Sequence, residues 1–417
     1  MTIEERIAHA EAGLKDAFAR IDRMEELGTA RVLDAFQRHE VASRHFAPTT
    51  GYGYDDVGRD TLEKIFAQLF GTEAAIVRPQ IASGTHAISL CLFGLLLPGD
   101  HVLSATGTPY DTLEDIIGLR EGVTPPGSLK EMGVAYSQVE LTAEGAIDLE
   151  AVERAITPRT TLVIAQRSRG YAWRPSLMPE AFEPLALMLH ERHPGVRLMV
   201  DNCYGEFVCE KEPSHYGADV CVGSLIKNPG GGLAPTGGYV VGTRAAIERI
   251  SYRLTAPGIG LEVGSYAGSY QPFYQGLFMA PHTVAQAIKT ACLAARVFEE
   301  LGMTTTPPAD APRADIIQAI QMGTPERLVA FCQGIQLASP IDSMALPEPW
   351  DMPGYQDQVV MAAGTFVSGA SVELSADAPM RAPYTAYMQG GLTYAHGRIA
   401  LASALKRMVK QGALTLD

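Results

Sequence analysis

Two ionisable residues stand at the ends of neighbouring predicted strands, 26 residues apart along the chain. Asp201 ends the apolar run Val196–Val200, and Lys227 follows the run Val220–Val222 and Ser224. In open α/β sheets, ligands bind at the carboxyl ends of the strands. Either residue alone is more often a helix cap, an ion-pair partner or a surface lysine. The joint pattern, strand–Asp and then strand–Ser-x-x-Lys followed by glycines, is much more specific.

This pair has the chemistry that pyridoxal 5'-phosphate requires. A lysine amine bonds to the aldehyde of that cofactor, and a carboxylate keeps its pyridine nitrogen protonated so that the ring accepts electrons. Ser224, three residues before Lys227, is a candidate ligand for the phosphate. The three glycines after Lys227 leave room for the ring. We therefore predict pyridoxal 5'-phosphate as the cofactor, with Lys227 and Asp201 as its main contacts.

Two further segments provide candidates for the same site. After the predicted strand Ala74–Arg78, the residues Ser83, Gly84 and Thr85 open an apolar helix, whose N–H groups and dipole attract an anion. We predict that these three residues cradle the phosphate, although a plain helix cap fits the pattern equally well. Tyr110 follows another strand in a turn, where its ring has a position suited to stacking on the cofactor. A core or turn tyrosine is the open alternative.

The elements that must position these residues alternate between residues 74 and 250. Short apolar runs separated by helix-like stretches predict an α/β domain with a largely parallel sheet. The predicted strands are Ala74–Arg78, His101–Ser104, Leu162–Ala165, Val196–Val200, Val220–Val222 and Gly238–Val241. The predicted helices are Thr61–Phe70, capped by Asp60, and Thr85–Leu97, Leu149–Ala155 and Met178–His190.

The chain on either side of this region has a different pattern. An apolar stripe predicts one helix over residues 3–40, and a Gly- and Tyr-rich loop follows at 41–60. The C-terminal part predicts a smaller α+β domain with a long helix, two strands and a final helix: Ala280–Leu301, Val359–Phe366, Ser371–Leu374 and Arg398–Lys410. We predict a helical arm at 1–50, a large cofactor-binding domain at 51–255 and a C-terminal domain at 256–417.

Composition excludes several classes of partner. The 417 residues carry a net charge of −14, which disfavours binding to nucleic acid or to anionic membranes. Six cysteines without a Cys-x-x-Cys pair predict reduced thiols and no metal site. The charged N-terminus has no apolar core of a signal peptide, so we expect a soluble, cytoplasmic protein.

Several longer stretches resemble the fold-type-I pyridoxal enzymes of the cystathionine lyase and methionine γ-lyase group. Within that group, they resemble most the branch labelled aluminium resistance proteins. The matching stretches, spread over roughly residues 45 to 400, are GYGYDDVGRDTLE, RPQIASGTHAI, AQRSRGYAWRPS, VDNCYGEF, GSLIKNPGGGLAPTGGYVVG and APMRAPYTAYMQGGLTY. The resemblance implies an aspartate-aminotransferase-like fold. Such a fold has a large α/β domain with a mainly parallel seven-stranded sheet and a smaller C-terminal α+β domain.

The resemblance also implies roles for single residues. It places the Schiff-base lysine at Lys227, the pyridinium acid at Asp201 and the stacking tyrosine at Tyr110. It places the phosphate loop at Ser83 and Gly84, with Ser224 also on the phosphate. The group builds homotetramers from catalytic dimers, so a homo-oligomer is expected.

In this group, a Tyr and an Arg from the neighbouring subunit often reach the phosphate. The corresponding arm here resembles Tyr52, Tyr54 and Arg59, but the spacing departs from the usual Tyr-x-Arg. Which of the three residues reaches the cofactor therefore stays open.

An amino-acid substrate also needs a group that binds its carboxylate, and a bidentate arginine suits that task. The candidates are Arg381, Arg398 before the last helix, and the pair Arg167 and Arg169. We prefer Arg381, because a Pro-Tyr pair makes its loop rigid. A structural ion pair is an equally good interpretation of each arginine.

These residues predict a C–S lyase that acts on a sulfur-containing amino acid and eliminates a thiol from Cβ or Cγ. Lys227 would act as the general base at Cα. An aminotransferase, a decarboxylase or an aldolase needs the same Lys and Asp and stays an alternative. A fold relative that binds a ligand without catalysis is a third hypothesis, and the intact pair of Asp201 and Lys227 argues against it.

Overall fold

The computed structural model describes residues 1–352 and 355–416. Its α-helices are α1 (Ile3–Ala12), α2 (Lys15–Arg38), α3 (Val57–Leu69), α4 (Gly84–Leu95), α5 (Asp111–Ile117), α6 (Leu149–Ala155), α7 (Glu183–Arg192), α8 (Arg244–Leu254), α9 (Gln271–Glu300), α10 (Pro325–Leu337) and α11 (Tyr394–Lys410). Its strands are β1 (Ala74–Arg78), β2 (His101–Ser104), β3 (Ala135–Gln138), β4 (Thr160–Gln166), β5 (Arg197–Asp201), β6 (Val220–Ser224), β7 (Gly238–Gly242), β8 (Thr305–Thr306), β9 (Ile317–Gln321), β10 (Val359–Ala362), β11 (Ser375–Pro379) and β12 (Thr385–Gln389). These strands form two separate sheets.

The larger sheet has seven strands in the order β1-β7-β6-β5-β4-β2-β3. The pairs β3–β2, β2–β4, β4–β5 and β5–β6 are parallel, whereas β7 runs antiparallel to β6 and β1. All residues of β6 and β7 are buried, as expected for strands covered on both faces. The prediction of an α/β fold with a mainly parallel seven-stranded sheet is confirmed.

The topology brings three chain segments to one edge of this sheet. Asp201 ends β5 and Ser224 ends β6, and because these strands are parallel neighbours, both residues lie at the same edge. Strand β1 runs in the same direction, since antiparallel β7 lies between it and β6. The turn after β1, which leads to Ser83 and α4, therefore reaches this edge too.

The C-terminal domain is built on a five-stranded antiparallel sheet of order β10-β11-β12-β9-β8. Helices α10 and α11 pack against each other, and α10 also packs on β10 and β11. The 30-residue helix α9 contacts α1, α2, α11 and β9, and so links the two domains. One hydrophobic cluster continues from the large sheet through α9 to the small sheet, and a second cluster lies between the large sheet, α4 and α8.

Several predicted element bounds are wrong. The N-terminal helix is two helices, because α1 ends at Gly13, whose N–H bonds to the carbonyl of Ala10. Asp56 rather than Asp60 caps α3, and its carboxylate accepts the N–H of Arg59 at 3.0 Å. The long helix begins nine residues before the predicted Ala280, and Pro281 lies inside it.

Errors are concentrated in the C-terminal domain. The predicted strand Val359–Phe366 ends at Ala362, and the predicted strand Ser371–Leu374 precedes the true strand β11. The final helix begins at its Thr393 cap rather than at Arg398. The sequence did not predict β3, β8, β9, β12, α5, α8 or α10. All six cysteines are unpaired, and no helix among the described residues is long and apolar enough to cross a membrane.

Candidate active site

A cavity of about 530 Å³ lies at the carboxyl edge of the large sheet and is lined by both domains. Its size is within the usual range for sites that bind small molecules or cofactors. The structure brings together, on its wall, seven residues that the sequence predicts for the site: Ser83, Gly84, Thr85, Tyr110, Asp201, Ser224 and Lys227.

Asp201 presents its half-buried carboxyl group to this cavity. One of its oxygens accepts the backbone N–H of Cys203 at 3.1 Å. Burial raises the pKa of Asp201 above its ordinary value, while Lys227 and the Cys203 hydrogen bond oppose this change. A carboxyl group in such surroundings gains from a cationic nitrogen at hydrogen-bonding distance.

Lys227 reaches the cavity from the loop after β6. Its Nζ atom lies 3.8 Å from the centre of the Tyr204 ring. Burial opposes the charge on this amine, but Cys203, Tyr204 and Asp201 together raise the pKa of Lys227 above its ordinary value. The neighbouring Asn228 donates from Nδ2 to the carbonyls of Tyr204 and Glu206, each at 2.9 Å. These bonds fix the lysine loop to the loop that follows Asp201.

The start of α4 and the end of β6 form a cradle with hydrogen-bond donors. Ser83 caps α4, and its Oγ accepts the N–H of His86 at 3.0 Å. A Cβ added at Gly84 would lie 3.4 Å from the Cys203 Sγ and the Ser224 Cβ, so the start of α4 lies beside both of these segments. The Ser224 Oγ is buried without a hydrogen-bond partner among the described residues. An unpartnered hydroxyl beside the free N–H groups of a helix N-terminus fits a phosphate.

Tyrosines form the next part of the wall. The hydroxyls of Tyr110 and Tyr355 are 2.5 Å apart, and the ring centre of Tyr171 lies 6.0 Å from Tyr110 and 5.8 Å from Tyr355. Burial raises the pKa of both Tyr110 and Tyr171 well above the ordinary value, so both phenols stay protonated at neutral pH. The sequence did not predict Tyr171, Tyr204 or Tyr355. Tyr171 and Tyr204 do lie within motifs that carry the family resemblance, and those motifs are the signal that could have identified them.

The C-terminal domain closes the cavity with polar residues that were not predicted. Asp377 on β11 accepts a hydrogen bond from Nε2 of Gln389 on β12 at 3.3 Å. Burial raises the pKa of Asp377 to about 7. Ser371 and Ser375 also line the cavity. Among the residues described along this wall, Lys227 is the only Lys or Arg, and Asp201 and Asp377 are the only acids.

Two of the four candidate arginines do not line the cavity and have other partners. Arg167 is completely buried, and its Nη1 donates to Asn202 at 2.7 Å and to Glu212 at 3.0 Å. Arg398 lies on α11 and pairs with Glu11 of α1 at 3.3 Å, in a groove between those helices. These ion pairs hold both guanidinium groups away from the cavity wall, so this arrangement does not favour the prediction that Arg167 and Arg398 contact the substrate.

The other two arginines lie beside the cavity. Arg381 and Arg169 line an adjoining groove of about 350 Å³, which shares Tyr110 and Tyr171 with the cavity. Arg381 is exposed and pairs with Asp357 at 3.0 Å. Arg169 is buried, and its Nε and Nη1 have no hydrogen-bond partner among the described residues. Both guanidinium groups therefore lie near the site, and neither is on the cavity wall.

The arm residues lie outside the cavity of their own chain. Tyr52 and Tyr54 are 72% and 62% exposed, with ring centres 5.5 Å apart. Arg59 is buried, and it donates to Asp60 at 2.7 Å and to the carbonyl of Gly53 at 2.8 Å. Arg59 therefore stabilises the loop that presents the two exposed tyrosines.

Known proteins resemble this chain over nearly its whole length. The family model for methionine gamma-lyase matches residues 3–409. An uncharacterized protein of Bacillus subtilis, YnbB, is 53% identical over 401 residues, which are 96% of this chain and 95% of that protein. A crystal structure from Listeria monocytogenes is 50% identical with a TM-score of 0.94, covering 97% of this chain and 99% of that one.

A further crystal structure, of a carbon-sulfur lyase involved in aluminum resistance from Clostridium novyi NT, is 46% identical with a TM-score of 0.93. It covers 97% of this chain, and 96% of its own chain is matched. The family model and these relatives extend over nearly the whole sequence. The chain belongs to the methionine gamma-lyase family.

Proposed function

We propose that this protein is a pyridoxal 5'-phosphate-dependent C–S lyase that acts on a sulfur-containing amino acid. The observation that carries the proposal is the meeting of Lys227 and Asp201 in one cavity, next to the unpartnered hydroxyl of Ser224. Membership of the methionine gamma-lyase family and the similarity to a carbon-sulfur lyase support the same reaction class.

The residues on the wall fit each part of the cofactor. Lys227 offers an amine for the aldehyde, and Asp201 offers a carboxylate for the pyridine nitrogen. The phosphate fits the cradle of Ser83, Gly84, Thr85 and Ser224, and the Tyr110 ring is the candidate for stacking on the pyridine ring. Bound there, pyridoxal phosphate supplies an electron sink that stabilises negative charge at the substrate Cα.

The protein residues have distinct tasks in the elimination. With cofactor and substrate bound, the free amine of Lys227 would take the proton from Cα as a general base. The C–S bond then breaks, its electron pair stays on sulfur, and the sulfur leaves as a thiol after taking up a proton. One water completes the conversion of the remaining fragment into a 2-oxo acid and ammonia.

The cavity of one chain needs further groups to bind the substrate carboxylate and the cofactor phosphate. Lys227 is the only Lys or Arg among the described residues on the wall, so the phosphate lacks a guanidinium partner from its own chain. We propose a cytoplasmic homo-oligomer, a dimer or tetramer, in which Tyr54 or Arg59 of a second copy reaches the phosphate. Arg381 or Arg169, in the adjoining groove, would bind the substrate carboxylate.

The test is an absorption spectrum of the purified protein, followed by a substrate screen. Cystathionine, cysteine, methionine and alanine are supplied, and thiol, pyruvate, 2-oxobutyrate and ammonia are measured. The proposal expects stoichiometric thiol and 2-oxo acid from at least one sulfur substrate, and no product with Lys227→Ala. Amino-group transfer from alanine to a 2-oxo acid without thiol release would show an aminotransferase. A colourless protein that takes up no pyridoxal phosphate would favour a non-catalytic role.

A further inference from the structure

The wall that the C-terminal domain contributes to the cavity has no task in the elimination described above. We call four of its polar residues, Ser371, Ser375, Asp377 and Gln389, the C-terminal polar wall. Ser371 and Ser375 are 6% and 5% exposed, and neither Oγ has a hydrogen-bond partner among the described residues. Unpaired buried hydroxyls cost free energy, so their presence on a cavity wall indicates a ligand that pairs with them.

The charges around the cavity indicate the sign of that ligand. Asp201 has the pyridine nitrogen of the cofactor as its partner, which leaves Asp377 as the other acid on the described part of the wall. In its own chain, Asp377 has hydrogen bonds with the side chains of Tyr171 and Gln389, the latter at 3.3 Å, and it faces the amine of Lys227, which the cofactor would engage. Above a pH of about 7, where Asp377 is ionised, a substrate carboxylate placed here would face a like charge, whereas Arg381 and Arg169 lie in the adjoining groove. The C-terminal polar wall therefore favours a cation over an anion.

The hydrogen-bonding groups of the C-terminal polar wall indicate the type of cation. A primary ammonium carries three N–H donors and no acceptor, and it matches a carboxylate, two hydroxyls and an amide oxygen. The rings of Tyr171 and Tyr355 line the same cavity, and aromatic faces attract cations. A neutral alkyl group at this position would leave the polar groups unpaired, which sites built for hydrogen bonding reject strongly.

We propose that Asp377, together with Ser371, Ser375 and Gln389, binds a primary ammonium group carried by the leaving thiol of the substrate. The substrate class is therefore an S-aminoalkyl cysteine or homocysteine derivative rather than a simple S-alkyl amino acid. This inference rests on the proposed function, since it places a leaving thiol in the cavity.

Two isosteric ligands test the proposal on the cofactor-loaded protein. S-(2-aminoethyl)cysteine and S-propylcysteine differ by an ammonium in place of a methyl group. Binding is measured by the change in cofactor absorption, which needs no turnover, and released thiol and pyruvate are measured separately. The wild-type protein should bind the aminoethyl compound at least about tenfold more tightly, and Asp377→Asn should remove this preference.

The matched control is Glu114→Gln, which removes the same charge from α5 beside the adjoining groove but not from the cavity wall. This variant should keep the preference of the wild-type protein. Equal binding of the two ligands by the wild-type protein overturns the proposal without any variant. A preference that survives in Asp377→Asn also overturns it, as does an equal loss of turnover with both ligands.

The outcome separates this inference from the proposed function. A clear binding preference that depends on Asp377, without thiol release from either ligand, supports the ammonium site and removes the lyase assignment. Thiol release from both ligands without a binding preference supports the lyase and removes the ammonium site.

Discussion

The amine of Lys227 lies 3.8 Å from the centre of the Tyr204 ring, although the two residues belong to loops after different strands. Tyr204 has a φ of +72°, which is uncommon for a residue with a side chain. Asn228, next to Lys227, accounts for this backbone, because its Nδ2 bonds to the carbonyls of Tyr204 and Glu206. One side-chain amide therefore fixes the position of the lysine loop relative to the aromatic ring of Tyr204.

We predict that Asn228→Ala weakens the retention of pyridoxal phosphate as well as the fold. The substitution leaves two buried carbonyls without their donor, which costs about 1–3 kcal/mol. The unfolding temperature and the affinity for the cofactor should both fall. Asn228→Ala with an unaltered cofactor affinity would show that the lysine loop holds its position without this amide.

Asp201→Ala should still bind the cofactor, because Lys227 and the phosphate cradle remain. The elimination should slow by at least about 100-fold, since the pyridine nitrogen loses the carboxylate that keeps it protonated. Steady-state kinetics together with cofactor content measure the two effects separately. Asp201→Glu, which keeps the charge, is the control and should recover part of the rate. Near wild-type activity of Asp201→Ala would mean that the reaction needs no strong electron sink.

The 45–60 loop, which carries Tyr52, Tyr54 and Arg59, leads to a prediction about the assembly of subunits. We expect at least a dimer in sedimentation, with the 45–60 loop of one chain near the phosphate of another. Tyr54→Ala should lower cofactor affinity several-fold without lowering stability, because the side chain is 62% exposed in its own chain. Arg59→Ala should also lower cofactor affinity. This variant additionally loses the hydrogen bond from Arg59 to the Gly53 carbonyl within its own chain. Leu187→Ala, at another exposed apolar position, is the control. A fully active monomer would contradict the prediction.

A pH dependence of stability is expected from Glu206. This side chain is buried, its Oε1 accepts the Tyr239 hydroxyl at 2.8 Å, and burial raises the pKa of Glu206 to about 8. Because the folded-state pKa lies above the ordinary value of about 4.3, the stability contribution is complete below that value. It is lost as the pH rises towards about 8.

Glu206→Gln removes this titration. Compared with the wild-type protein, the variant should gain roughly 3 kcal/mol in free energy of unfolding between pH 5 and pH 8. Urea denaturation at several pH values measures the difference, and the exposed Glu262→Gln serves as the control. A wild-type-to-variant difference that does not change with pH would contradict the raised pKa.

The sequence predicts the large sheet well because its central strands are buried on both faces and appear as apolar runs. Strands β9 and β12, with sequences IQAIQ and TAYMQ, mix polar and apolar residues and show no such run. Asp201 and Lys227 were predictable, since the carboxyl ends of parallel strands share one edge. Asp377 and Tyr355 were not, because contacts between two domains place them on the cavity wall.

The arginines show a second limit of sequence reasoning. Arg167 and Arg169 follow the same strand and look alike in sequence, yet Arg167 pairs with Glu212 while Arg169 lines the adjoining groove. Glu212 lies 45 residues away along the chain. A partner at that separation has no local signal, so the sequence did not distinguish a structural guanidinium from a functional one.

The central claim is that Lys227 holds pyridoxal phosphate, and its most direct test is chemical reduction of that bond. The loaded protein is treated with borohydride and digested, and the peptides that carry the cofactor are sequenced by mass spectrometry. We predict a yellow protein that yields a single labelled peptide with the cofactor on Lys227, and no label in Lys227→Ala. Label on any other lysine, or none in the wild-type protein, would contradict the account.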